Sequence, residues 1–132
     1  MMRYDLGLVA HDAKKGDMTQ WIGEHIDQLR SLRLVATAST GALIARSYPG
    51  LDIRCLKSGP LGGDQEIGAL IANEKMGALI FFIDPLSPLP HDVDVKALTR
   101  LAVLYNIPFA CNRTTADHLL ASGPPKRENE RP

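Results

Sequence analysis

Apolar residues fall into five short runs along this chain, and segments with helical periodicity separate them. The runs cover residues 4–10, 32–38, 52–57, 78–83 and 107–111. Several runs are continuous rather than alternating, which is typical of parallel strands covered by helices on both faces. We therefore predict a single three-layer α/β domain, with a five-stranded, mostly parallel sheet flanked by helices.

The segments between the runs have the spacing of amphipathic helices. In residues 14–29, the apolar positions recur at intervals of three and four: Met18, Trp21, Ile22, Ile26 and Leu29. The stretch that begins at Val95 repeats this spacing, and shorter helices are predicted after Gly41 and after Gly63. Trp21 is predicted to lie in the core. His25 and His118 are predicted to lie on the surface.

Composition limits the partners and the location. The 132 residues include 15 Lys plus Arg and 15 Asp plus Glu, so the net charge favours neither nucleic acid nor an anionic membrane as the main partner. The apolar runs are too short for a signal peptide or a membrane span. Cys55 and Cys111 lack any metal-ligand or redox spacing and are interpreted as reduced structural thiols. We predict a cytoplasmic protein with one domain, 1–121, and a flexible tail, 122–132, rich in proline and charge.

Polar residues collect just after the predicted strands. In a parallel sheet, ligands bind outside the carboxyl ends of the strands, so these residues are expected to share one pocket. They follow the five runs in this order: His11, Asp12 and Lys15; Thr37, Ser39 and Thr40; Ser58, Gly59 and Asp64; Asp84, His91, Asp92 and Asp94; Asn112.

Two of these segments have the chemistry of an anion site. The segment 37–41 offers three hydroxyls at the start of a predicted helix, and Lys15 would add a positive charge. The common alternative is that Ser39 or Thr40 only caps the helix. Ser58-Gly59 and the pair Gly62-Gly63 would let the backbone approach a ligand, or would simply form turns.

The candidate acid and base groups are Asp64 and His91. Asp64 follows two glycines and either caps the next helix or acts as a carboxylate base in a cleft. A histidine near a helix start is usually structural or solvated, but His91 lies in a predicted strand-end loop with several aspartates nearby in sequence, which makes a titrating role more plausible. A zinc or manganese site from His11, His91 and these aspartates is chemically reasonable, but no short-range ligand spacing supports it.

The ordered motifs closely resemble the methylglyoxal synthase family over residues 8–117. They are Val9-Ala10-His11-Asp12, Thr37-x-x-Thr40-Gly41, Ser58-Gly59-Pro60-Leu61-Gly62-Gly63-Asp64-Gln65, Phe82-x-Asp84-Pro85-Leu86 and Pro90-His91-Asp92-x-Asp94-Val95-x-Ala97-Leu98. The resemblance implies a flavodoxin- or Rossmann-type fold, a homohexamer, no metal and no organic cofactor. It also implies the conversion of dihydroxyacetone phosphate to methylglyoxal and inorganic phosphate, as a bypass of glycolysis.

The resemblance assigns roles to individual residues. Asp64 matches the catalytic base, and His91 matches its partner at the substrate carbonyl. The positions that match phosphate contacts are Lys15, Thr37, Ser39, Thr40, Ser58 and Gly59. The remaining polar positions around the substrate match His11, Asp12, Asp84 and Asp94.

Two departures from the family pattern bear on these expectations. The usual Thr-Gly-Thr-Thr-Gly is Thr37-Ala38-Ser39-Thr40-Gly41 here, and alanine adopts positive φ less readily than glycine. No arginine near the C-terminus (Arg113, Arg127 or Arg131) aligns with the one that crosses between subunits in longer members.

The alternative function is a non-catalytic sensing domain for a phosphorylated metabolite or nucleotide. Such a domain would need Lys15 and the hydroxyls but not both Asp64 and His91.

Overall fold

The computed structural model describes residues 2–58, 61–86 and 95–123 of the chain. Five strands form one sheet: β1 (Tyr4–Ala10), β2 (Leu34–Ala36), β3 (Ile53–Cys55), β4 (Met76–Phe82) and β5 (Phe109–Ala110). The strand order is β3-β2-β1-β4-β5, and every pairing is parallel. The predicted α/β class and five-stranded sheet are therefore confirmed.

Helices connect these strands. They are α1 (Lys15–Glu24), α2 (Ile26–Leu29), α3 (Ala38–Ser47), α4 (Gly63–Ala72), α5 (Val95–Leu104) and α6 (Arg113–Ser122), and a 3-10 turn at Asp12–Lys14 precedes α1. The single helix predicted over residues 14–29 is divided at His25, whose φ of −119° is not helical. Strands β2, β3 and β5 are shorter than the apolar runs that predicted them, because the ends of each run lie in the loops on either side of the strand or, at Ala38, in the next helix.

The strand order reverses direction between β1 and β4, the two seven-residue strands at the centre of the sheet. Their register runs from Tyr4 opposite Met76 to Ala10 opposite Phe82, so both strands end at the same level. The chain leaves β1 toward β2 and β3 and then crosses back to β4 and β5. Sheets of this type bind ligands at the carboxyl end of such a reversal point.

The core forms two layers, one on each face of the sheet. Leu6, Leu8 and Ala10 of β1 pack with residues of α1, α3 and α6, whereas Val9 packs on the opposite face with α4 and α5. Alternate residues of a strand point to opposite faces, which explains this division. The helices therefore hold the central strands from both sides, and the polar loops lie at their carboxyl ends.

Helices α1 and α6 are joined by a polar contact around Trp21. The Trp21 side chain is fully buried, and its Nε1–H donates to Asp117 Oδ1 at 2.8 Å. His25 Nε2 lies 3.0 Å from the same oxygen, and its ring is tilted by 43° to the Trp21 ring, with the two centroids 4.8 Å apart. His25 was predicted to be a surface residue, but it is only partly exposed because its ring covers Trp21. The pKa of Asp117 lies below its ordinary value, mainly because Trp21 donates a hydrogen bond to its carboxylate. The contact with His25 lowers this pKa further.

This contact gives a prediction for stability. We expect Asp117→Ala to lower the free energy of unfolding by about 1 kcal/mol, because the Trp21 donor loses its acceptor, whereas Asp117→Asn keeps an oxygen there. Since the folded pKa of Asp117 is depressed, the charged form stabilises the fold above the ordinary carboxyl pKa, and this contribution is lost as the pH falls through the folded value. Urea unfolding at neutral and acidic pH measures both effects. An equal loss in the Ala and Asn variants at neutral pH would contradict the acceptor role.

The remaining predictions on the cysteines and the tail have mixed outcomes. Cys55 and Cys111 are free thiols, although both are exposed, and partial burial raises the pKa of Cys111. His118 is exposed, as predicted.

Within the described ranges, no helix has the length and apolar character needed to cross a bilayer. The predicted tail begins at the last residue of α6, and its residues 124–132 lie outside the described part of the chain.

Candidate active site

The carboxyl ends of the two central strands are tied together by His11. His11 directly follows β1, is only 6% exposed, and its backbone N–H donates to the Phe82 carbonyl at 3.1 Å. The backbone N–H of Asp84 donates to His11 Nδ1 at 2.8 Å. Because Nδ1 accepts this hydrogen bond, the neutral imidazole carries its proton on Nε2. The ring also packs edge-on against Phe81, with centroids 5.1 Å apart.

Lys15 connects the loop after β1 with the start of α3. Its Nζ donates to Ser39 Oγ at 2.7 Å and to Asp12 Oδ1 at 2.5 Å. The Lys15 side chain is 21% exposed, while that of Asp12 is 73% exposed. The ammonium group is therefore held in place from both sides and remains open to a ligand from solvent.

The segment 37–41 does not use its hydroxyls to cap α3. The N-cap residue is Thr37, and its side chain makes no capping hydrogen bond. Ser39 is the second residue of the helix and accepts from Lys15 instead. Thr40 Oγ1 is buried and has no hydrogen-bond partner among the described residues. Ala38 is the first helical residue and lacks positive φ, so the expected penalty for replacing the family's glycine does not arise.

The loops after β2 and β3 meet through backbone hydrogen bonds. The N–H of Ala38 donates to the Lys57 carbonyl at 3.4 Å, and the N–H of Gly63 donates to the Ser58 carbonyl at 2.8 Å. Gly63 touches this backbone so closely that a Cβ atom would lie 2.1 Å from the Lys57 carbonyl oxygen. Gly62 precedes it with a φ of +103°, which glycine adopts readily. The glycine pair therefore presses the start of α4 against the loop after β3.

Asp64 lies in the first turn of α4 as a result of this contact. It is partly buried, and Gly62 rather than Asp64 is the N-cap residue of the helix. Asp64 Oδ1 accepts from the N–H of Gln65 at 3.0 Å. Asp64 is therefore not the N-cap residue, although its carboxylate accepts from one backbone N–H group of the first turn.

Glu66 was missed by sequence reasoning. Its Oε1 accepts from the backbone N–H of Lys57 at 3.0 Å, which fixes the loop after β3 from the side of α4. The capping-box pattern did not indicate this contact, because Glu66 is the fourth residue of α4, one position beyond the residue that the pattern uses. Asn112, which follows the fifth strand, caps α6: its side-chain Oδ1 accepts from the backbone N–H of Thr115 at 2.9 Å.

The structure thus brings together most of the predicted site within its described part. Direct contacts link Lys15 with Asp12 and Ser39, and His11 with Asp84, while Ser58 and Asp64 lie on adjoining segments of the same end of the sheet. Thr37 and Thr40 are buried at the start of α3. Gly59, His91 and Asp94 lie outside the described residues. Among those that are described, no group of three or more potential ligands could hold a metal ion.

A cavity of about 370 Å³ adjoins this region between α4 and α5. Its walls are mostly apolar, formed by Gly68, Ala69, Leu98 and Leu101 among others, and Asp64 reaches its rim. A phosphate needs hydrogen-bond donors and positive charge, so this apolar cavity is not the anion site. The donors lie at the carboxyl end of the sheet instead.

Arg113 of α6 forms hydrogen bonds with two residues of α1 in the same chain. Its Nη2 donates to both carboxylate oxygens of Glu24, at 2.5 and 2.6 Å, and Nη1 donates to Gln20 at 3.0 Å. This bidentate contact joins α6 to α1. Arg127 and Arg131 lie outside the described part of the chain.

The fold and the polar residues at the carboxyl end of its sheet place this chain among the doubly wound α/β domains, whose ligands bind at that end. The model of the MGS-like domain matches residues 17–111. Methylglyoxal synthase from Agrobacterium fabrum is 56% identical over 115 residues, covering 87% of this chain and 91% of the relative. The Brucella anthropi methylglyoxal synthase is 57% identical over 118 residues, covering 89% and 94%.

A solved structure agrees with these relatives. The crystal structure of methylglyoxal synthase from Elizabethkingia anophelis superposes with a TM-score of 0.83 at 46% identity, covering 88% of this chain and 76% of that one. The chain belongs to the methylglyoxal synthase family.

Proposed function

We propose that this chain is a lyase that converts dihydroxyacetone phosphate to methylglyoxal and inorganic phosphate without a metal or an organic cofactor. Membership of the methylglyoxal synthase family supports the reaction. The observation that carries the proposal is the presence of an oriented ammonium group and a carboxylate at the starts of two helices that both contact Lys57: Lys15 is bound to Ser39 of α3, and Asp64 lies in the first turn of α4. The ammonium group of Lys15 can hold a phosphate, and the carboxylate of Asp64 can remove a proton.

The phosphate group would bind at the start of α3. The ammonium of Lys15 and the hydroxyl of Ser39 meet there, beside the backbone N–H groups of Ser39 and Thr40 in the first turn of the helix. The buried hydroxyl of Thr40 is a further donor. Thr37, Ser58 and Gly59 complete the set that the family pattern assigns to phosphate.

The chemistry begins with proton removal from carbon 3 of the substrate by Asp64. Charge then develops on the carbonyl oxygen, and His91 would stabilise it by donating a hydrogen bond. The resulting enediolate passes its carbon 3 hydroxyl proton to the phosphate as the bond between carbon 1 and the phosphate oxygen breaks. Inorganic phosphate leaves with the bonding electrons, and the enolate of methylglyoxal that remains takes a proton on carbon 1, which becomes the methyl group.

The remaining polar residues would orient these groups. Asp12 holds Lys15 through a direct ion pair, and His11 holds the backbone at Asp84. Asp94, together with Asp84, would orient His91 or the hydroxyl of the substrate. Phosphate departs most easily when its C–O bond stands perpendicular to the plane of the enediolate, so a fixed phosphate is itself part of the catalysis.

One assay tests the proposed reaction. The purified chain is incubated with dihydroxyacetone phosphate without added metal, with and without a chelator, and the products are quantified. We expect equal amounts of methylglyoxal and inorganic phosphate in both samples. Glyceraldehyde 3-phosphate would indicate an isomerase, and binding without turnover would indicate the sensing domain. Activity that disappears with the chelator would contradict the metal-free proposal.

Substitution of Lys15 tests the phosphate site. We expect Lys15→Met to weaken binding of inorganic phosphate by about 10- to 100-fold, because a charge-assisted hydrogen bond is lost from a partly buried site. Lys14→Met is the matched control, since its ammonium lies 3.9 Å from Asp17 and away from Ser39. Isothermal titration calorimetry measures both affinities. Similar affinity in the two variants would place the phosphate elsewhere.

The family resemblance also supports a homohexamer, a cytoplasmic location and a role in bypassing glycolysis. Light scattering of the purified chain would test the first of these. A mass of six chains is expected, and a stable monomer would contradict it.

A further inference from the structure

Lys57 lies where the edge of the sheet meets the starts of two helices. It is the second residue after β3, which is an outer strand with β2 on one side only. The backbone N–H of Leu56 donates to the Ala36 carbonyl at 2.7 Å, toward the sheet. In an extended chain the next N–H group points to the opposite side, where an edge strand has no neighbour. The N–H of Lys57 therefore needs an acceptor from outside the sheet.

Glu66 of α4 supplies this acceptor. Its side chain is partly buried, and its Oε1 accepts from the N–H of Lys57 at 3.0 Å. The same carboxylate also interacts with the positive charge of Arg54 on β3. The pKa of Arg54 lies above its ordinary value, mainly because its guanidinium donates to Tyr4, and Glu66 adds to this shift. Glu66 therefore has two interactions, one with a backbone amide and one with a charge.

The carbonyl group of Lys57 contacts both helix starts. It accepts from the N–H of Ala38, the first residue of α3, at 3.4 Å, and Gly63 at the start of α4 packs against it. The backbone of Lys57 thus lies between the start of α3, where the phosphate site is proposed, and the start of α4, which carries Asp64. Because Glu66 holds the N–H of this residue from α4, it links the two helix starts.

We propose that Glu66 is a positioning residue: through the backbone N–H of Lys57, it holds the carboxylate of Asp64 in place relative to the phosphate site at the start of α3. This role rests on the proposed lyase function. Glu66 itself touches neither the substrate nor the reacting atoms. Its contribution is made when Asp64 removes a proton from a substrate whose phosphate is already bound, since proton transfer needs a correctly placed base.

Two substitutions isolate the acceptor. Glu66→Gln keeps an oxygen at the place of Oε1 without the charge, whereas Glu66→Met keeps the length and helix propensity without a comparable acceptor. We expect kcat of the Gln variant to stay within about threefold of wild type and that of the Met variant to fall about 10- to 100-fold, because a misplacement of about 1 Å has such an effect. KM should change less than kcat, since the contact between Lys15 and Ser39 does not involve Glu66.

The matched control is Arg54→Gln, which removes the charge near Glu66 and leaves the acceptor of Lys57 unchanged. We expect this variant to keep the kcat of the wild type. Equal losses in the Gln and Met variants of Glu66, or wild-type kcat in the Met variant, would overturn the proposal. A loss in Arg54→Gln as large as that in Glu66→Met would also overturn it, because the charge would then be the important group. Urea unfolding identifies conditions in which every variant is folded, so that kcat refers to folded protein.

A measurement without substrate separates this proposal from the proposed function. Hydrogen exchange followed by NMR should show the Lys57 amide protected in the wild type and in Glu66→Gln, and faster in Glu66→Met. The same exchange rate in all three chains would overturn the role of Glu66, whatever their activity. The expected exchange rates in a wild-type chain that forms no methylglyoxal would instead overturn the lyase function, and with it the catalytic part of this proposal, while the contact itself would stand.

Discussion

Asp64→Asn is expected to lower kcat with dihydroxyacetone phosphate by about 10³-fold, because the amide has the shape of the carboxylate but cannot accept the carbon 3 proton. Binding of inorganic phosphate should change little, since the Lys15–Ser39 contact does not involve Asp64. Steady-state kinetics and calorimetry on the same preparation measure both quantities.

The matched control is Asp27→Asn on α2. Asp27 is a carboxylate of the same type, its side chain is 93% exposed, and it pairs only with the exposed Arg30 among the described residues. The control should retain wild-type turnover. Near-normal turnover in Asp64→Asn, with the control unchanged, would refute Asp64 as the base.

Gly63→Ala is expected to damage both stability and activity. The new methyl carbon would lie 2.1 Å from the Lys57 carbonyl oxygen, and a backbone atom cannot move aside as the end of a side chain can. We expect the free energy of unfolding to fall by about 2–3 kcal/mol, the upper range for overpacking. Because α4 must move away from the loop after β3, kcat should also fall by about 10²-fold.

The control for this substitution is Gly16→Ala in the first turn of α1. A Cβ at Gly16 would have no heavy atom within 4 Å, so the alanine should be neutral or stabilise the helix by up to about 1 kcal/mol. Urea unfolding of both variants measures the difference. Equal stability of the two variants would contradict the close contact between Gly63 and the loop after β3.

The hydrophobic pattern was sufficient to predict the sheet and the end of the sheet at which polar residues meet. Continuous apolar runs predicted strands buried on both faces, and the core packs on both faces of β1 and β4. The rule for parallel sheets then predicted that polar residues far apart in sequence would meet. Lys15 and Ser39, 24 positions apart, confirm it through a direct hydrogen bond.

Tertiary contacts explain what the sequence did not reveal. The residues around His25 in sequence do not indicate its partner, because Asp117 is 92 positions away. The break in the first predicted helix accompanies this contact, whereas the periodicity of Trp21 and Leu29 continued through it. The backbone N–H of Asp84 as the partner of His11 was equally invisible, because any residue type supplies that donor. The position of Asp64 and His91 after predicted strands made both residues candidates, and only the family resemblance assigned one as the base and the other as its partner at the carbonyl.

The most direct test of the central claim is a crystal structure of the Asp64→Asn variant with dihydroxyacetone phosphate bound. The account predicts the phosphate in hydrogen-bond contact with Lys15 and Ser39, carbon 3 beside the residue 64 amide, and His91 at the carbonyl oxygen. Substrate bound in the apolar cavity between α4 and α5, or a residue 64 side chain turned away from the substrate, would contradict it.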